Sequence, residues 1–403
     1  MSAERFIAQR LGDKGNRIAW ISVALSIAIM VVAVAVVGGF KAEIRSKATG
    51  FMGSVTLVAP GQSPLNEEYP FTSDLSYTEA LDSLRAVTSV SAVAYRSGLV
   101  KTDDAIAGIY FKGVDSLYDF SFFKSSLSDG ALPQLHGRMS NDVLISSRLA
   151  DQLSLKVGDR MTVYFIGEDV KVRRFDVCGL FEAQLDDIDK TFALVDIRQV
   201  RRLNGWEKDQ ASSLEVRIAP RADIDAAEHS VEEVQFLRSE DSDPSLFTLS
   251  VKRIYAHLFD WLALLDLNVL MILALMMAVA GFNMISCVLI ILFRNISTIG
   301  LLKSLGMTTK EVSGVFLRKA ASIVGKGMLV GNAFALLLCT VQKYTHLIKL
   351  DPANYFVSYV PIDFNWPQIV ALNVVSFVVI MLILSLTSIF VSRVSPSVTM
   401  KVD

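Results

Sequence analysis

Three runs of this chain are too long and too free of charge to fit anywhere but a bilayer. Ile18 to Phe40 is 23 residues without a charged side chain, Leu267 to Phe293 is 27, and Pro367 to Ser392 is 26. About 18 to 20 apolar residues suffice to cross the hydrocarbon core as a helix. A fourth stretch, Ala320 to Gln342, is interrupted only by Lys326. A backbone in hydrocarbon must satisfy its own hydrogen bonds, so all four are expected to be helices. The alternative is a set of buried helices in a soluble protein, which would need a very large core around them.

The short flanks set the orientation. Arg5, Arg10, Lys14 and Arg17 precede the first span, and Arg294, Lys303, Lys310, Arg318 and Lys319 sit between the second and third, opposed there by Glu311 alone. Basic residues stay on the cytoplasmic side, so both termini and the middle link are expected in the cytoplasm. The expected order is a cytoplasmic segment 1–17, a first span 18–40, an exported domain with helical extensions 41–265 and a second span 266–293. A cytoplasmic link 294–312, a third span 313–342, an extracytoplasmic loop 343–366, a fourth span 367–392 and a cytoplasmic tail 393–403 follow. The first span is long for a signal peptide and lacks a small-residue cleavage pattern, so it reads as a retained anchor.

Charge divides along the same line. Lys41 to Asp260 carries 34 acidic and 25 basic residues, a net −9, while the remainder carries +7. An acidic exported domain argues against nucleic acid as a partner. Cys178 is the domain's single cysteine and cannot form a disulfide inside it; Cys287 and Cys339 fall in spans and read as small apolar residues. His136, His229, His257 and His346 lack zinc-ligand spacing, and Asp186-Asp-Ile-Asp189 reads as a solvated acidic loop. The chain has no Gly-x4-Gly-Lys-Ser/Thr phosphate loop, so nucleotide energy must come from another chain.

The exported segment reads as mixed α/β. Strands are expected at Ser54 to Ala59, Val90 to Tyr95, Leu99 to Lys101, Ile106 to Lys112, Asp142 to Ser146, Met161 to Phe165, Lys171 to Cys178 and Ser213 to Ile218. Helices are expected at Tyr77 to Val87, Ser147 to Leu153 and Ile224 to Phe236. The fold class is thus an α-helical membrane protein with four transmembrane helices plus a large mixed α/β extracytoplasmic domain inserted between the first and second. Lys41 to Thr49 continues from the first span without a breaker, and Leu249 to Leu265 enters the second with Ile254, Leu258, Trp261 and Leu262 at helical spacing. Both are expected to prolong the membrane helices as a paired stalk; an amphipathic linker is the plainer alternative.

In the cytoplasmic link, Ile296, Ile299, Leu302 and Leu305 recur every three residues and Gly306 ends the run, giving a short amphipathic helix after which Thr308 or Thr309 can cap the next. Such a helix can lie on the inner leaflet or dock on a cytoplasmic protein. Gly325, Gly327 and Gly331 offer a small-residue face for close helix packing.

Together these features resemble the permease subunits of mechanotransmission-type ABC transporters, particularly the LolC and LolE family of the lipoprotein-releasing complex. The best local matches are Phe6-Ile7-Ala8-Gln9-Arg10 with Val37-Gly38-Gly39-Phe40, the segment from Val143 to Asp159, and Ile299-Gly-Leu-Leu-Lys-Ser-Leu-Gly306. The resemblance implies an ATPase dimer of the LolD type, binding the ATP and Mg; this chain would hold no cofactor and be no enzyme. It further implies a second copy or a paralogous permease, a lipoprotein substrate, a periplasmic LolA-like carrier, and the inner membrane of a Gram-negative bacterium. ATPase coupling would fall to Arg294, Ile296, Ile299, Leu302, Lys303, Leu305, Gly306 and Lys310. Thr298 stands where the family usually has an acidic residue, so the ion pair to the ATPase that the resemblance implies there is not expected, and Arg294, Lys303 and Lys310 are left to engage it. A MacB-like efflux permease and a signalling permease that activates a periplasmic partner are the alternatives. Leu302→Asp or Leu305→Asp is expected to lower coupled ATP hydrolysis with membrane insertion intact, read by ATPase assay and fractionation; unchanged coupling would remove the Ile296 to Gly306 helix from that role.

Overall fold

The computed structural model describes residues 16–102, 105–167, 169–294, 301, 304 and 306–391. Among them, four helices are long and apolar enough to cross a membrane: Ala19–Met52, Ala256–Ile290, Glu311–Thr345 and Trp366–Leu386. The chain divides into two compact units. One takes in Met1–Ala42, Trp261–Lys349 and Tyr359–Asp403; the other takes in Glu43–Asp260 together with Leu350–Ser358. The domain therefore includes part of the loop between the third and fourth membrane helices, which the sequence left as a separate segment.

In the membrane unit the first helix is central. Half of its most apolar window is buried, against 6% for the second helix, which therefore forms the rim. Val23, Ile27 and Met30 pack in one cluster with Ala280 and Met284 of the second helix, Phe316 and Ile323 of the third, and Ile380 and Leu384 of the fourth. Close approach to the third helix depends on glycine: a Cβ on Gly327 would lie 2.8 Å from Trp20 O and from Val23 Cβ, and Gly331 abuts Ala24. At Gly325, expected in the same face, an added Cβ would meet nothing within 4 Å. Lys326 is exposed. Polar pairs add crossings: Asn283 donates to Ser22, and Asn332 and Asn373 exchange amide hydrogen bonds at 2.7 and 3.0 Å. Thr308 caps the third helix in a capping box with Glu311, resolving the choice between Thr308 and Thr309.

The domain is built on β1 (Val55–Val58), β2 (Phe71–Thr72), β3 (Val87–Lys101), β4 (Ile106–Val114), β5 (Leu127–Gly130), β6 (Asp142–Ser146), β7 (Arg160–Phe165), β8 (Lys171–Phe181), β9 (Phe192–Asp196), β10 (Gln210–Ala211), β11 (Ser213–Ile218) and β12 (Phe247–Ser250). Among the described residues ten of these strands join in one sheet, ordered β12-β1-β11-β3-β4-β9-β6-β8-β5, with β7 bridging β3 and β8; β2 and β10 pair separately. Six strands thus close a ring, β3-β4-β9-β6-β8-β7, around a core in which Phe111 stacks on Phe175 at 5.5 Å and meets Phe165 edge-on at 5.2 Å. The other end of β3 pairs with β11 and belongs to a second core with Phe51, Tyr77, Leu214 and Val231. One 15-residue strand therefore joins both cores.

Several expected boundaries move. The helix expected from Tyr77 to Val87 stops at Asp82, because Val87 is already paired with Ile218. The pieces expected at Val90 to Tyr95 and Leu99 to Lys101 are one strand, with Gly98 giving room to Val163 and Phe165. The expectation that helix begins near Leu249 is corrected: Phe247–Ser250 is a strand paired with β1. A strand Phe192–Asp196 and a helix Ile197–Asn204, capped by Asp196 and ended by Gly205 at φ +75°, had no counterpart in the sequence reading. Gly327→Leu is expected to cost about 1–3 kcal/mol by overpacking, read as a lower melting temperature in detergent, while Gly325→Leu leaves it unchanged.

Candidate functional site

The first membrane helix is continuous from Asn16 to Met52, 37 residues, or about 55 Å at the helical rise, against roughly 30 Å of hydrocarbon. Residues 43–52 of it belong to the domain unit. Its backbone and side chains meet other parts of the chain at three levels, and these levels define the candidate site.

At the first level, Gly39 lies against the backbone of Pro361 and Ile362; a Cβ there would come within 2.8 Å of Ile362 N. The Asp363 amide donates to Ala35 O at 3.1 Å. On the same unit Lys41 pairs with Asp266 at 2.7 Å and Phe40 meets Trp261 edge-on at 6.2 Å, so the first and second helices run as a pair here.

At the second level, Lys47 Nζ donates to Gln184 Oε1 at 2.6 Å and to Phe356 O at 2.8 Å, and Gln184 Nε2 donates to Ser358 Oγ at 2.5 Å. The loop that supplies Phe356 and Ser358 is a hairpin. Leu350 N donates to Ser358 O at 2.9 Å and Lys349 bridges Tyr359. Gln184 is held in turn by Asp189, whose carboxylate accepts the amides of Ala183 at 2.9 Å and Gln184 at 2.8 Å. The segment expected as a solvated acidic loop is thus a one-turn helix, Asp186–Asp189, with Ile188 and Asp189 buried. Burial raises the Asp189 carboxyl, and the two amides oppose that shift.

At the third level the helix ends on a buried ionic cluster. Lys112 Nζ sits 2.7 Å from Glu215 Oε1 with both side chains essentially inaccessible, donates to Tyr118 Oη at 3.0 Å, and donates to the carbonyl of Phe51. Arg217 donates to Gly50 O at 2.9 Å and to Tyr118 Oη at 2.6 Å. Tyr95 Oη donates to Glu215 at 3.2 Å. Burial lowers the Lys112 ammonium to about 8, with Glu215 pulling the other way, and burial beside Glu215 raises the Tyr95 and Tyr118 phenols. Two cations thus face the negative end of a helix dipole and its unpaired carbonyls.

Beside the first helix, within the membrane unit, lies a groove of about 460 Å³. Ala28, Val32 and Val36 form one wall, Leu265 and Ile272 of the second helix another, and Phe334 of the third closes it.

The residues expected in the stalk are divided. Ile254 ends a one-turn helix, Val251–Ile254, separated by Tyr255 from the second membrane helix, which begins at Ala256 and carries Leu258, Trp261 and Leu262. Leu258 and Leu262 are buried, and Leu258 lies in the core with Phe51. Of the residues expected to couple to an ATPase, Ile296, Ile299, Leu302, Lys303 and Leu305 lie outside the described residues. Arg294 ends the second membrane helix, Lys310 stands in the first turn of the third, and Gly306 is exposed at φ +95°. Gly39, Lys47, Lys112, Glu215 and Arg217 were not singled out. Gly39 carried a signal within Val37-Gly38-Gly39-Phe40, and Lys47 stands on the helix face of Ile44, Ala48 and Phe51, where a lysine has to find partners.

Among the described residues no group of three or more His, Cys, Asp and Glu side chains is placed to hold a metal. Cys178 is half-buried, donates to Val143 O at 3.3 Å, and burial pushes its thiol up to about 12, so it is not an activated nucleophile.

One helix before and three after a large extramembrane domain, with a long first helix anchored in that domain, define a class of membrane permease. Residues 18–234 match the MacB-like periplasmic core domain and residues 270–396 the FtsX-like permease C-terminal region. The chain belongs to this family and is a mechanotransmission permease of the MacB/FtsX type. It is similar to the lipoprotein-releasing system transmembrane protein LolC of Xylella fastidiosa, 23% identical over 376 residues that cover 89% of this chain and 86% of the relative. It is also similar to the LolE protein of that system from Haemophilus influenzae, 19% identical over 362 residues, covering 86% and 84%. The solved periplasmic region of MacB from Actinobacillus actinomycetemcomitans aligns with 53% of this chain and 94% of its own length, at 16% identity and a TM-score of 0.37.

Lys47→Met is expected to free the 350–358 hairpin. Hydrogen exchange of its amides should rise about tenfold, as for the loss of one charge-assisted bond; unchanged exchange would show that Lys47 does not hold it.

Proposed function

We propose that this chain is a permease subunit of an ATP-driven transporter that releases outer-membrane-directed lipoproteins from the inner membrane. The observation that carries this reading is the apolar groove beside the first membrane helix. Acyl chains are the part of a lipoprotein that a permease must accept, and a trough of aliphatic side chains, with Leu25 and Ile29 exposed on its wall, offers them the environment they leave. Similarity to LolC along 89% of the chain supports the same cargo.

In this reading both termini and the 294–312 link are cytoplasmic and the domain is periplasmic, in a Gram-negative cell. The basic residues of the link support the orientation. So does the grouping of Leu350–Ser358 with Glu43–Asp260, since two segments of one compact unit stand on one side of the membrane. A separate LolD-like ATPase dimer binds ATP and Mg and meets the permease at Arg294 to Lys310. A second permease completes the site, and a LolA-like periplasmic carrier takes the cargo. The permease performs no bond chemistry; its two conformations differ in packing, and nucleotide binding in the partner biases them.

Depletion of the chain is expected to leave lipoproteins in the inner membrane, read by fractionation. Ile29→Trp, at an exposed position on the groove wall, should reduce release by about tenfold or more, the discrimination that pocket fit supplies. Normal lipoprotein distribution with a changed export or division phenotype would replace this reading with efflux or signalling.

A further inference from the structure

The ionic cluster at the end of the first helix is costlier than a fold needs. Lys112 and Glu215 are both inaccessible, and a buried pair of this kind is commonly no more stable than well-packed apolar residues in its place. What it supplies instead is direction. Tyr95 and Lys112 are register partners, and Glu215 is the partner of Ser91, so Tyr95, Lys112 and Glu215 leave the same face of the sheet from three strands, β3, β4 and β11. Arg217, two residues on from Glu215 in β11, shares that face. The end of the first helix covers this face. Its last carbonyls, Gly50 O and Phe51 O, accept from Arg217 and Lys112, and Lys112 stands 4.7 Å over the Phe51 ring. Gly50 leaves no slack, since a Cβ there would meet the Phe122 ring at 2.5 Å. Apolar packing tolerates small slides and rotations, whereas hydrogen bonds to two successive carbonyls fix both the height and the rotation of the helix end.

We propose that Lys112, Glu215 and Arg217 are positioning residues: they lock the end of the first membrane helix to three strands of the sheet, so that displacement of this helix moves the domain as one body. The proposal deepens, and rests on, the mechanotransmission reading. The cluster is a latch set at the point where helix becomes sheet.

The test uses the full-length chain in lipid nanodiscs with its partner ATPase. Spin labels are placed at Ser46→Cys on the helix and Thr88→Cys on β3, both exposed positions, with Cys178, Cys287 and Cys339 changed to Ala. The label distance distribution should be narrow and the same with and without ATP. In K112M/E215M, which removes both charges together, the distribution should broaden or shift while the melting temperature holds. Lipoprotein released per ATP hydrolysed should fall by about tenfold, the scale of coupling carried by contact networks. If K112M/E215M melts early, Arg217→Met, which keeps the Lys112–Glu215 pair, takes the same readouts. An unchanged distribution in a folded variant overturns the proposal, and so does a broadened one with normal release per ATP. A broadened distribution, in a system whose unsubstituted chain releases no lipoprotein, upholds the latch and overturns the cargo reading.

Discussion

The first membrane helix outlasts the bilayer it crosses, and most of the structure answers to that mismatch. Its 37 residues span about 55 Å, so at least two turns at one end must find their surroundings in protein or water. The chain meets this by giving residues 43–52 to the domain, where Ala48, Phe51 and Met52 enter the main core and the terminal carbonyls meet two buried cations. An α-helix held by its own ladder of hydrogen bonds is stiff along its axis, so a helix buried at one end among membrane helices and at the other in a sheet is a fit element for transmitting movement.

The contacts along this helix are of three physical kinds. Gly39 is held by shape, because the backbone at Pro361 and Ile362 occupies the place of a side chain. Lys47 is held by charge-assisted hydrogen bonds to the 350–358 hairpin and to Gln184. Gly50 and Phe51 are held by the ionic cluster on β4 and β11. The hairpin between the third and fourth membrane helices is thereby part of the domain rather than a tether between spans, and it brings a later part of the chain onto the same helix. In a permease whose work is to couple two sides of a membrane, contacts of this kind decide which segments move together.

The membrane half was legible because its signal is compositional: long uncharged runs have few readings, and all four appear as helices. Strands such as Asp142–Ser146 and Ser213–Ile218 were legible too, bounded by a capping serine in one case and alternation in the other. The charge cluster was not. In Ser213–Ile218 the alternation of Glu215 and Arg217 with Leu214 and Val216 reads as a polar face turned to water, yet all six residues are buried; the face of Glu215 and Arg217 is covered by the end of a helix that lies 167 residues before Arg217 at Gly50. No local pattern carries that information. Leu249 and Ser250 were read into the helix that follows for a related reason: the four residues Phe-Thr-Leu-Ser are too few to fix a period, and the free edge of β1 decided it. The Asp186–Asp189 segment looked solvated because aspartates cluster there, while Asp189 is turned inward to close its own turn.

The central claim is that the first membrane helix stays one unbroken element into the domain while the transporter works. Hydrogen exchange at the amides of Phe40 to Met52, measured on the complex with the proposed partner ATPase in nucleotide-free and ATP-bound states, tests this directly. The account predicts strong and equal protection across that stretch in both states. Loss of protection between Lys41 and Met52 in either state would mean that the helix opens as the transporter cycles, and would contradict it.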